Sequence, residues 1–307
     1  MERIPFGSTG LTVSRLGFGS APIGYLGRPT SEVEPLLQGL LDLGINVLDT
    51  AASYPGSEQA IGAAVGNRRD QFVLVSKCGQ AFEDLPGAAW SAQVITATID
   101  RALKRLRTDR LDVMLLHSCS RRVLEQGEAL GALARARDAG KVRFPGYSGD
   151  NDAVAFAATL PDVRVIETSI NLTDQVNIDG VLPVARERGL GVIVKRPIAN
   201  AAWKQPSEQP GMYASYAQDY HDRFKAMGLT LSDTGLTGDA KLQWPAAALR
   251  FTLSFEGVHT AIVGTTNLDH VRSNVEAVDQ GPLPEHVVQT LRDKFNAAAK
   301  GQWHGLT

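Results

Sequence analysis

The sequence predicts a single-domain α/β fold, a (β/α)8 or TIM barrel, carrying an N-terminal β-hairpin and a long loop insert after the seventh strand. Two observations predict it. Short apolar, strand-like runs alternate with amphipathic helical stretches along nearly all of the 307 residues, and eight such units fit that length. A third observation concerns chemistry: Asp49, Tyr54, Lys77 and His117, which can exchange protons or charge, sit at or just past the ends of three successive runs. In a barrel of parallel strands such ends open onto one mouth, where side chains distant in the chain can meet.

In chain order, residues 3–14 (RIPFGSTGLTVS) read as a hairpin turning at Ser8-Thr9-Gly10 and covering the barrel floor. The eight expected strands are Leu16 to Gly19, Ile45 to Leu48, Phe72 to Ser76, Asp112 to Leu116, Val142 to Tyr147, Val163 to Glu167, Leu190 to Val194 and His259 to Val263. Between the first two, Ser31 opens a capping-box pattern, S-E-V-E, and Val33, Leu36, Leu37, Leu40 and Leu41 recur at helical spacing until Gly44. Ser91 can cap a helix that buries Ile95, Ile99, Ala102, Leu103 and Leu106 and leaves Arg101, Lys104, Arg105 and Arg107 in water. Leu268, Val271, Val275 and Val278 form a similar stripe near the end. Residues 200–243 are a polar insert containing Trp203, Pro206, Pro210, Tyr213, Tyr216 and Tyr220, with a helix in its middle; long excursions on the loop face serve as lids or binding loops.

Composition bounds the partners. A formal charge of −2 gives no electrostatic reason to expect nucleic acid or an anionic membrane. MERIPFGSTG lacks an apolar export core, and no stretch approaches the roughly 20 apolar residues of a membrane helix, so a cytoplasmic protein is expected. Cys78 and Cys119 are too few for a disulfide framework and read as small buried thiols. No metal site is expected.

The chemistry starts in INVLDTAASYPGSE (residues 45–58), where Asp49 ends a strand and Tyr54 follows on a loop before a helix that Ser57 can cap. VLVSK then ends a strand with Lys77, and DVMLLH ends the next with His117. A phenol has a pKa of about 10, so lowering it by about two to three units requires roughly 3–4 kcal/mol. One cation at about 4 Å supplies about that much at an effective dielectric near 20. Lys77 is the available cation, and Asp49 would keep it charged. His117 can hydrogen-bond a substrate carbonyl and turn it toward Tyr54. Such a site protonates a carbonyl oxygen while hydride reaches the carbon; no side chain donates hydride, so a nicotinamide is implied.

Gly17-Phe18-Gly19 lacks the third glycine of a Rossmann fingerprint and does not open a helix. A barrel can instead hold phosphate on a helix N-terminus after its last strand. IVGTTNLDHVRSN (residues 262–274) offers Thr265, Thr266 and free amides there, with Arg272 or His270 adding charge; the alternative is an ordinary cap by Asn267 or Thr266.

These stretches, with LGFGSAPIG, VLVSKCG, DRALKRLRTDRLDVMLLHS, GKVRFPGYSG and VGTTNLDHVRSNVEAV, resemble an aldo-keto reductase over residues 3 to about 278. The resemblance implies Tyr54 as proton donor, Lys77 and Asp49 as its tuning pair and His117 as the carbonyl-orienting residue. It implies cofactor contacts from Gly19, Ser20 and Asp49, from Ser148, Gly149 and Glu167 at the nicotinamide amide, from Lys195, Arg196, Pro197 and Ile198 along the ring and pyrophosphate, and from Gly264, Thr265, Thr266, His270, Arg272 and Asn274 at the adenosine phosphate end.

The chain departs from the commoner pattern in four places. Ser148-Gly149 stands where Ser-Asn is frequent, Glu167 where Gln is usual, Lys195 where an aromatic stacks on the ring, and Gly264 and His270 where many NADPH-preferring relatives carry Lys and Arg. A solvated rim is the other reading of Lys195 and Arg196. The cofactor reading leans to NADP(H), with NAD(H) as the alternative. The expected substrate is a small carbonyl compound, an aldehyde, ketone or sugar-like ring, selected by Tyr25, Leu26, Phe82, Trp90, the insert and the tail residues Trp303 and His304. Two rival readings are a Schiff-base lyase using Lys77 and a regulatory subunit that binds NAD(P) with little turnover. Oligomeric state is not legible.

Overall fold

Valine, isoleucine and leucine concentrate in eight short runs that pair in parallel and close on themselves: β3 (Leu16–Gly19), β4 (Val47–Asp49), β5 (Val73–Cys78), β6 (Leu111–His117), β7 (Val142–Ser148), β8 (Val165–Ser169), β9 (Gly191–Lys195) and β10 (Thr260–Val263), with β10 pairing β3. The structure is a computed structural model and describes residues 1–211 and 213–306. The expected barrel is the observed one. Among the described residues no helix is long and apolar enough to cross a membrane.

Parallel barrel strands are buried on both faces, hence their almost unbroken apolarity. Within β6, Val113 and Leu115 point into the barrel while Met114 and Leu116 pack outward against the helices. The interior is filled by Val47, Val73, Val75, Val113, Leu115, Val165, Ile193 and Ile262. Each such side chain contributes roughly 1.5–3 kcal/mol by leaving water.

Several strands run one or two residues beyond their expected ends, and β4 is Val47–Asp49 rather than Ile45 to Leu48. Apolarity stops before backbone pairing does. His117 pairs Ser148, Ser148 pairs Glu167, and Ser169 pairs Lys195, so polar residues at the mouth are held by the ladder itself.

The hairpin, β1 (Arg3–Pro5) and β2 (Thr12–Ser14), plugs the floor as expected. Phe6 is 1% exposed, and its ring lies where a side chain on Gly191 would be, 2.7 Å from an added Cβ. Glycine at 191 is what lets the plug seat.

Ser91 caps the helix Ala92–Leu106, accepting from Val94 N, and Asn267 caps Leu268–Asp279, accepting from Asp269 N. Two expected caps are corrected. The helix Thr30–Asp42 is entered from Pro29, already extended at φ −66°, so Ser31 lies inside it. The helix Ser57–Val65 is entered from Gly56 at φ 70°, and the Ser57 hydroxyl turns inward to Thr50 and Ser20. The insert after β9 folds into 3-10 turns and helices, including Gln218–Ala226, and is anchored where Trp203 stacks on Trp244 at 6.0 Å. Both cysteines are free and buried.

Candidate active site

Neighbouring strands bring the tetrad together. Asp49 is the last residue of β4, Lys77 lies near the end of β5, and His117 ends β6. Lys77 Nζ is 2.6 Å from each Asp49 carboxylate oxygen and donates to Thr50 O at 3.2 Å. It stands 5.7 Å from the centre of the Tyr54 ring, and Tyr54 and His117 meet edge to face at 6.1 Å. The loop bearing Tyr54 is fixed from below: Thr50 donates to Ser57, Ser57 to Ser20, and Ser20 to the Asp49 carbonyl. Ser20 is therefore a strut within the wall.

Burial pulls the Lys77 ammonium down, but the charges of Asp49 and then Glu167 outweigh it, and its pKa rises above the ordinary lysine value. Burial and the Glu167 charge push Asp49 upward against Lys77. Both Asp49 oxygens lie 2.6 Å from the ammonium, a contact that a carboxylate makes best, so the geometry supports the ion pair.

Tyr54 corrects the expectation of an acidified phenol: burial raises its pKa more than Lys77 lowers it, and Asp49 and Glu167 add to the rise. His117 is pushed down to about 3 by burial and by the charges of Lys77, Lys195 and Arg196, so its imidazole is neutral at ordinary pH. Its Nδ1 lies 3.5 Å from Ser53 Oγ.

Next to the tetrad, Ser148 Oγ donates to Glu167 Oε1 at 3.1 Å. Glu167 Oε2 lies 3.2 Å from Lys77 Nζ, is buried, and has no hydrogen-bond partner among the described residues. Gly149 has a steric reason: a Cβ there would come 2.5 Å from the Tyr147 hydroxyl, which donates to Cys119 O.

Lys195 and Arg196 are not a solvated rim. Lys195 Nζ pairs with Asp150 Oδ2 at 2.6 Å, and Asp150, itself buried, also accepts from Thr168, Ser169 and Asn177. Arg196, at φ 56°, donates to Tyr220 Oη and to the Leu306 carbonyl and lies over the Tyr216 ring. The C-terminal tail and the insert enclose both cations. Sequence reasoning missed Asp150, although its place just after β7 is the signal that found the others.

A cavity of about 650 Å³ joins these groups to the β10 end. Asp49, Tyr54, His117, Ser148 and Glu167 line one part, Lys195, Arg196, Pro197 and Ile198 another, and Gly19, Gly264, Thr265, Thr266 and His270 a third. At Gly264 an added Cβ would sit 2.8 Å from the Pro22 ring. Thr265 Oγ1 accepts from Asn267 N and lies 3.3 Å from His270 Nδ1.

Lys77, Ser20, Gly149 and Asn274 do not line this cavity. Arg272 faces solvent, paired with Asp269. Tyr25 and Leu26 line the cavity as expected, joined by Ser53, Gln80 and Ser118, whereas Phe82, Trp90, Trp303 and His304 do not. Phe82 lies under Arg101, Trp90 covers Gly79, and Trp303 packs on Phe295. Asn200 Nδ2 and Tyr213 Oη, buried and without hydrogen-bond partners among the described residues, belong to cavity residues and suit a polar ligand. Among the described residues no cluster of three or more His, Cys, Asp or Glu is placed to hold a metal ion.

Known proteins share this architecture. L-galactose dehydrogenase from Arabidopsis thaliana is 29% identical over 302 residues, covering 91% of this chain and 89% of that protein. The NADH-specific methylglyoxal reductase of Escherichia coli (strain K12) is 24% identical, covering 91% and 94%. The solved structure of an aldo-keto reductase from Bacillus halodurans in its holo form superposes with a TM-score of 0.80 at 26% identity, covering 96% of each chain. The model of the Aldo/keto reductase family matches residues 15–296, and the chain accordingly belongs to that family of oxidoreductases, which use NAD(P)H on small carbonyl compounds.

Proposed function

We propose that the protein reduces the carbonyl of an aldehyde, ketone or sugar-like substrate to an alcohol, with Tyr54 as proton donor, Lys77 and Asp49 as its charge partners and His117 as the orienting residue. The observation that carries this reading is the Asp49–Lys77 ion pair set beneath the Tyr54 ring, with His117 beside it, at one end of the cavity. A proton donor must be protonated at rest, and burial keeps Tyr54 so. The Lys77 charge then stabilises the phenolate that remains after the proton moves to the substrate oxygen. His117, neutral and facing Ser53 through Nδ1, has Nε2 left to hydrogen-bond that oxygen.

A bound reduced nicotinamide would supply hydride to the carbonyl carbon. Ser148 and Glu167 would hold its amide, the segment Lys195 to Ile198 would flank ring and pyrophosphate, and Gly264, Thr265, Thr266 and His270 would take the phosphate end. NADP(H) as the preferred nucleotide rests on Thr265, Thr266 and His270, because Arg272 is paired with Asp269 outside the cavity. NAD(H) is the alternative. Against a Schiff-base lyase stands the charge state of Lys77, which donates to both Asp49 oxygens and Thr50 O and is poorly nucleophilic.

The test is steady-state oxidation of NADPH and of NADH with a panel of aldehydes, ketones and sugars. Turnover with one nucleotide supports the reading and selects the cofactor. Tight cofactor binding without turnover across the panel would replace it with the regulatory-subunit reading.

A further inference from the structure

Lys77 has two carboxylates for company. Asp49 takes two of its hydrogen bonds and Thr50 O a third, so Glu167 Oε2, 3.2 Å away, receives no N–H of its own. The contact is purely electrostatic, between side chains 1% and 3% exposed. Ser148 Oγ holds the other oxygen and fixes the carboxylate in place.

Asp49 on β4, Glu167 on β8 and Asp150 after β7 face Lys77 on β5, Lys195 at the end of β9 and Arg196 just past it. His117 on β6 is neutral, and Tyr25 touches the Tyr54 ring edge-on. A neutral side chain at 167 would remove one of the two carboxylates that face Lys77.

We propose that Glu167 is a second counter-ion of Lys77, placed to offset part of the lysine's pull on the Tyr54 proton. It is a positioning residue acting through Lys77, and the inference rests on the proposed role of Tyr54. The consequence has a direction. With both carboxylates present Tyr54 keeps its proton through neutral pH, which suits carbonyl reduction, and alcohol oxidation, which needs the phenolate as base, is confined to alkaline pH.

Glu167→Gln keeps the shape and removes the charge. One unit charge acting on a buried group at about 10 Å moves its titration by on the order of one pH unit. The acid limb of the kcat/KM profile for alcohol oxidation should therefore move down by about that much. In cofactor-free protein labelled with [13Cζ]tyrosine, the Tyr54 resonance, assigned with Tyr54→Phe, should begin to titrate at lower pH in E167Q than in the wild type.

Unmoved limbs and superimposable titrations would overturn the proposal, and so would a change confined to the cofactor KM, which would leave Glu167 serving only the nicotinamide. If the wild type reduces no carbonyl compound, the proposed function fails while the spectroscopic titration still decides the role of Glu167. Should E167Q show no cooperative melt, Glu167→Asp is read instead, with a smaller shift of the same sign expected and no shift overturning the proposal.

Discussion

Lys195 Nζ stands 2.6 Å from Asp150 Oδ2 inside the barrel mouth, with the lysine side chain 12% and the aspartate 0% exposed. Burial and the Arg196 charge pull the lysine down while Asp150 pulls it up; burial pushes Asp150 up, but Lys195 and the Ser169 amide bring it below the ordinary aspartate value. Asp150→Asn strands a buried ammonium and should cost about 3–5 kcal/mol of unfolding free energy at pH 7. Adding Lys195→Met should recover part of that loss. The sign with pH follows: a depressed carboxyl contributes stability that is present above its unfolded pKa near 4 and is lost as pH falls through the folded value. Urea midpoints across pH check both points, and a loss below about 1 kcal/mol for Asp150→Asn would show that the pair is dispensable.

Tyr54→Phe should lower turnover by roughly 10²–10⁴-fold, the scale for losing a general acid. The ring and its edge contacts with Tyr25 and His117 are retained, so cofactor affinity should hold. Stopped-flow single turnovers with fluorescence titration of cofactor separate the two quantities. Unchanged turnover would remove Tyr54 from the chemistry.

The barrel and three members of the tetrad were legible for one reason. A polar residue at the C-terminal end of an apolar barrel strand stands at the mouth, and Asp49, Lys77 and His117 are all placed there by the ladder. What could not be read were balances between opposed forces. Whether Lys77 or burial wins at Tyr54 depends on how much water the neighbours exclude, and the count of neighbouring carboxylates includes Glu167 from a strand on the far side of the mouth. Lys195 has the sequence of a rim lysine, and only Asp150, forty-five positions earlier, makes it an interior one. Ser31 and Ser57 carry good capping chemistry, but Pro29 and Gly56 fix the entry to each helix first.

His259 should make the barrel floor sensitive to acid. Burial, then the Arg15 charge, pushes its pKa down to about 4, and its Nδ1 accepts from Val192 N. Between about pH 6.5 and pH 4 the unfolded chain binds a proton that the folded one refuses, so stability falls as pH falls across that window, by roughly 2–4 kcal/mol from this group. His259→Asn keeps an acceptor for the Val192 amide and should flatten that portion of the curve. Wild-type and variant curves that stay parallel from pH 4 to pH 6.5 would mean that the imidazole is protonated in the fold.

Asp174 should give the opposite slope in the same range. Its Oδ2 accepts from Leu306 N at 2.8 Å, pinning the tail whose carbonyl receives Arg196, while its Oδ1 is buried without a partner among the described residues. Burial raises its pKa to about 6 against the pull of the Leu306 amide. The folded chain therefore holds a proton that the unfolded chain has already released between about pH 4 and pH 6, and stability declines as pH rises, by roughly 2–4 kcal/mol. Asp174→Asn keeps an acceptor for Leu306 N and carries no charge, so its advantage over the wild type should grow from pH 4.5 to pH 7. Hydrogen exchange at the Leu306 amide should slow in the variant at pH 7, because the tail is then held without a buried anion. An advantage that does not change with pH would mean that Asp174 is ionised throughout, with the Leu306 amide held by a carboxylate at every pH.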